Sequence, residues 1–151
     1  LVTHHPVIFD PIKKMTDRSW QHKLLLDCAE NKIAVYSAHT SLDSVLGGVN
    51  DVLAEKIGLL HTEVLVPAAG GAEFIDEALA AGADTFVTGD VKYHTAQNAV
   101  YSGLNIIDAT HQGTELPMIN TLADRIALRL TSGGFNAQVL VAKESKILQC
   151  L

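Results

Sequence analysis

The chain has 151 residues, 48% hydrophobic but only 5% aromatic, with 17 acidic against 11 basic residues and a formal charge of -6. That is enough apolar material for one compact domain or two small halves sharing a core, built from Val, Ile, Leu and Ala as in an α/β protein rather than a β-sandwich. The acidic balance argues against nucleic acid and anionic membrane as partners, and no apolar run approaches the ~20 residues that span a bilayer.

Cys28 and Cys150 lack CxxC spacing, which speaks against a disulfide framework or a thiolate zinc site and for reduced thiols in the cytoplasm. The chain begins at Leu1 rather than Met and enters a strand at once, so residues are expected to precede it. Leu1 to Thr3 reads as the end of that strand, with His4-His5-Pro6 as the turn after it. From Asp17 to Asn31 the apolar residues Trp20, Leu24, Leu25 and Cys28 have helical spacing, with Thr16 or Asp17 as the expected cap. Ile33 to Ser37 is of strand length and leads into Ala38–Asp43, and Val49, Val52, Leu53 and Ile57 form a helical stripe ended by Gly58.

Val64 to Val66 is expected to be the third strand, followed by Gly70-Gly71 and a helix over about 72–81. Thr85 to Thr88 is the fourth strand, a helix over about 92–101 is capped by Gly103, and Leu104 to Asp108 is the fifth strand. The longest helix is expected from about Thr114 to Leu130, and Gln138 to Val141 is a last strand. Strands and helices alternate, which predicts an α/β fold with a mainly parallel or mixed sheet flanked by helices.

In such sheets ligands bind beyond the carboxyl ends of the strands. Four groups of metal-type residues fall there: His4-His5, His39 with Asp43, Asp90 with His94, and His111 with Glu115. The i,i+4 spacing of His111 and Glu115 puts both on one helical face, where they can hold a cation; in the plainer alternative Glu115 only favours the positive end of the helix. Asp43 is a ligand or a turn residue, His39 a ligand or a core histidine, and Asp90 a ligand or a helix cap. His94 orients a ligand, donates a proton or contacts substrate. Gly70-Gly71 lacks the Lys-Ser/Thr of a P-loop and is a poor phosphate signal.

Thr3-His4-His5-Pro6, Ala38-His39-Thr40-Ser41-Leu42-Asp43, Gly47-Gly48-Val49-Asn50-Asp51, Gly82-Ala83-Asp84, Thr88-Gly89-Asp90 to His94, and His111 to Glu115 occur together in this order. The chain thereby resembles the Nif-three-like dinuclear metal-centre proteins, often labelled GTP cyclohydrolase type 2 homologues. The resemblance covers nearly the whole chain. It implies two similar α/β halves around a shared metal site, here 1–60 and 61–151, and a homohexameric ring. By motif it implies His4, His5, Asp43, His111 and Glu115 as ligands of two divalent ions per subunit, with Asp90 and His94 nearby. Against the family pattern a longer segment, sometimes an inserted domain, is missing after the Gly-Gly-Val-Asn-Asp helix, and a break near Leu60-His61 is expected.

Three imidazoles and two carboxylates suit Zn, Fe, Mn or Ni. Two divalent ions outweigh two carboxylates, so the resemblance implies a net positive centre that favours a small anionic substrate. A metal-dependent hydrolase acting on a nucleotide or related phosphorylated small molecule is expected, with Glu115 as bridging carboxylate and His94 or Asp90 as proton shuttle. A non-catalytic metal carrier or ring-shaped interaction scaffold is the alternative.

Overall fold

The computed structural model describes residues 1–65 and 71–143. They belong to two compact units, residues 1–46 and residues 47–65 with 71–143. Both are α/β, and each contains one pair of parallel strands.

In the first unit, β1 (Val2–Thr3) and β2 (Tyr36–Ser37) pair in parallel, Val2 opposite Tyr36 and Thr3 opposite Ser37. The crossover between them is helix α1 (Trp20–Glu30), and a short helix α2 (His39–Asp43) follows β2. α1 starts later than Thr16 or Asp17 as caps would place it; Ser19 holds the N-cap position without a side-chain capping bond. The strand expected from Ile33 is confined to Tyr36 and Ser37. Lys32 has φ 54, and the Ile33 amide donates back to the Cys28 carbonyl at 2.8 Å. Residues 32–33 are therefore still closing the helix as a Schellman turn and cannot extend. Cys28 and Ala38 are buried.

The second unit carries α3 (Val49–Lys56), a single 3-10 turn (Ala72–Phe74), α4 (Ile75–Ala80), β3 (Thr85–Thr88), α5 (Tyr93–Tyr101), β4 (Asn105–Asp108) and α6 (His111–Ser132). β3 and β4 pair in parallel from Thr85–Asn105 to Thr88–Asp108. Gly82 and Gly103 follow α4 and α5 at φ 80 and 89, which a Cβ would oppose. Each turn is closed by a bond from the residue after the glycine, Ala83 to Ala78 and Leu104 to Ala99, both 3.0 Å. The turns deliver the chain to β3 and β4 and bring Ile75, Ala78, Ala99 and Leu104 into one core, against which Phe86 and Ile106 pack. α3 lies along α6, each contributing one buried residue, Val49 and Met118.

Two expected strands are absent. Val64 and Leu65 are irregular (Val66 lies outside the described residues), and so is 138–141, with Leu140 exposed. Neither segment has a partner strand among the described residues, and an apolar run without inter-strand hydrogen bonds is not a strand. α6 begins at His111 rather than near Thr114. Among the described residues no helix is long and apolar enough to cross a membrane.

Candidate metal centre

In the first unit the donors follow the two strand ends. The Thr3 hydroxyl donates to the His5 carbonyl at 2.9 Å, so its contact with the Ser37 hydroxyl at 2.8 Å must be donated by Ser37. That pair ties β1 to β2 and bends the chain at His4-His5. His4, His5 and His39 each offer a ring nitrogen within 4.8 Å of the others. Their rings meet at centroid distances of 4.8–5.4 Å, His4 and His5 nearly perpendicular at 84°. α2 places Asp43 one turn after His39, and its Oδ1 lies 3.5 Å from His4 Nε2. His39 is thus grouped with the pair that the family motif names, although the motif's ligand set passes over it.

In the second unit the donors again follow the strand ends. Thr110 caps α6 by accepting from the Gly113 amide at 3.1 Å, with φ 64 and ψ 155. The Asp108 carboxylate accepts from the Thr110 amide at 2.9 Å and the Val91 amide at 3.4 Å, joining the loops after β3 and β4. His111 opens α6 between two carboxylates, with Nδ1 2.7 Å from Asp90 Oδ2 and Nε2 3.1 Å from Glu115 Oε1. The i,i+4 expectation of a shared face holds for His111 and Glu115.

This arrangement has a direct chemical consequence. An ionised carboxylate only accepts hydrogen bonds, and His111 has one on each ring nitrogen, so a neutral ring can donate to only one of them. Where Nδ1–H donates to Asp90, the shorter contact, Nε2 carries a lone pair that faces the Glu115 oxygen. Two such acceptors at 3.1 Å repel unless a cation, a proton or a metal ion, lies with them. Two ligands ~2.1 Å from one ion, at angles between square and tetrahedral, are ~3.0–3.4 Å apart. The observed 3.1 Å falls inside that range, and imidazole with carboxylate, lacking thiolate, suits first-row divalent ions.

A pocket of about 560 Å³ opens beside these groups, lined by Glu73, Asp90, Lys92, Thr95, His111 and Glu115 among others. Its size is that of small-molecule sites. His94 is elsewhere: it lies exposed on the first turn of α5, against the Tyr93 ring, and does not line this pocket. Sequence reasoning passed over Asp108 and Lys92. A carboxylate ending the strand before His111, and a cation two residues after Asp90, were the signals available.

The sequence model of the Duf34/NIF3 (NGG1p interacting factor 3) family matches residues 1–70 and 64–147. A GTP cyclohydrolase 1 type 2 homolog of Clostridium acetobutylicum is 26% identical, covering 96% of this chain and 74% of that protein. The alignment runs over 199 positions against 151 residues here, so that relative carries residues without a counterpart. The Bacillus subtilis homolog is 46% identical over 67 residues, 44% of this chain and 18% of that protein. Among solved structures, a Bacillus cereus protein related to NIF3 shares the fold at TM-score 0.92 and 18% identity, covering 99% of this chain and 82% of that one. Reduced HcgD from Methanocaldococcus jannaschii aligns at TM-score 0.74 and 26% identity, over 85% of this chain and 70% of that one.

Proposed function

The chain belongs to the Duf34/NIF3 family, and from that premise we propose that it binds two divalent metal ions through His4, His5, Asp43, His111 and Glu115. The observation that carries the reading is the Glu115 carboxylate held 3.1 Å from His111 Nε2, a spacing that a shared divalent ion would satisfy. The grouping of His4, His5 and His39 supports a second set of donors and adds His39 to it.

We further propose that the protein is a metal-dependent hydrolase of a nucleotide or related phosphorylated small molecule. Bound divalent ions would acidify a water and polarise the bond it attacks. Glu115 is assigned to metal binding and proton acceptance; the substrate-contact or proton-shuttle role expected of His94 would need a substrate that extends beyond this pocket. Lys92 at the pocket supports an anionic group on the substrate. The name carried by the relatives puts GTP first among compounds to try. A cytoplasmic location belongs to the same proposal, supported by Cys28 as a buried free thiol.

The test is turnover by metal-loaded protein across GTP, other nucleotides and simple phosphoesters. Metal-dependent turnover that His111→Ala abolishes is the expected result. Stoichiometric metal that exchanges rapidly with chelators, with no substrate consumed, would replace this reading with a metal carrier or scaffold.

A further inference from the structure

We infer that Asp90 is a positioning residue that holds the His111 ring by Nδ1 and so presents Nε2 to a metal. The inference rests on His111 being a ligand, as proposed above, and assigns the reason it is presented correctly.

The backbone that carries Asp90 is pinned, while its side chain is 68% exposed. It sits at φ 58, a left-handed value that few residues with a Cβ adopt and that Asp adopts more often than most. Gly89 before it runs so close to α6 that a Cβ there would lie 2.8 Å from the His111 nitrogen and the Thr110 carbonyl carbon. Those are backbone atoms, which cannot step aside as a side chain would. After it, the Val91 amide is held by Asp108, the same carboxylate that takes the Thr110 amide. The loop after β3 is therefore fastened to the start of α6 on both sides of Asp90. The result is the 2.7 Å contact with Nδ1.

When a metal ion takes Nε2, the remaining ring proton sits on Nδ1. The Asp90 carboxylate would accept that proton, fix the ring orientation and make the ring a stronger donor to the ion. Backbone strain of this kind persists where the surrounding structure holds it, and it concentrates at functional positions.

The test compares wild type with Asp90→Gly and Asp90→Asn. Glycine accepts φ 58 freely, so its variant should fold with equal or greater thermal stability while losing the carboxylate. Asparagine also tolerates this region and keeps an acceptor oxygen without the charge. Zn²⁺ affinity, measured by competition with a chromophoric chelator, should fall about 10–100-fold in Asp90→Gly and less in Asp90→Asn. Nitrogen NMR of the metal-free protein should show the His111 Nδ1 hydrogen-bonded in wild type and released in Asp90→Gly.

Unchanged affinity and an unchanged Nδ1 signal in Asp90→Gly would overturn the inference. So would an affinity loss matched by a loss of folding in both variants. If wild type binds no Zn²⁺, the metal reading fails by itself, while the NMR comparison still decides what Asp90 does.

Discussion

A β-branched residue rarely holds φ 64 with ψ 155, yet Thr110 does so immediately before His111. Its hydroxyl caps α6 through the Gly113 amide, so cap and strain act on one residue with opposite signs. Thr110→Ala should remove the cap and keep the strain, costing ~1 kcal/mol. Thr110→Gly should lose only a few tenths for the cap and recover ~1–3 kcal/mol of strain, ending neutral or stabilised. Urea denaturation of the two variants separates them, and equal losses would show that φ 64 stores no strain. Residue type and i,i+4 spacing made His111 and Glu115 legible in the sequence. The partnership of Asp90 with His111 was not, because it depends on backbone angles and on a close approach at Gly89 that no spacing records.

At the scale of elements, glycine made much of the second unit readable. β3, β4 and the ends of α4 and α5 fall where Gly82 and Gly103 punctuate the chain. The same turn was missed after α1 because Lys32 occupies the left-handed position there. Read as an ordinary residue, it let Ile33 to Val35 pass for strand. Lys32→Gly should remove that conflict and raise stability by ~1 kcal/mol, visible as a higher denaturant midpoint with unchanged slope. A lower midpoint would mean that the lysine side chain earns its place by contacts. The strand expected at 138–141, and the described part of the one expected at 64–66, failed for another reason: short apolar runs do not reveal whether a partner strand is available.

At the scale of the whole chain, the two units repeat one scheme, a parallel strand pair with imidazole and carboxylate donors placed after the strands. Several large apolar side chains stand exposed: Trp20, Leu46, Leu60 and Tyr101 are each 78–86% exposed. The family resemblance implies a six-subunit ring, and we propose that exposed side chains of this kind are covered in it. Native mass spectrometry should find six-chain assemblies at micromolar concentration, and a monomer at every concentration would refute the ring.

The central claim is that both sets of donors hold metal. Elemental analysis of purified protein, set beside His4→Ala and His111→Ala, tests it most directly. Two equivalents of a first-row divalent metal per chain, reduced in each variant, is the predicted result. Wild-type protein without stoichiometric metal, or variants that retain the full complement, would contradict it.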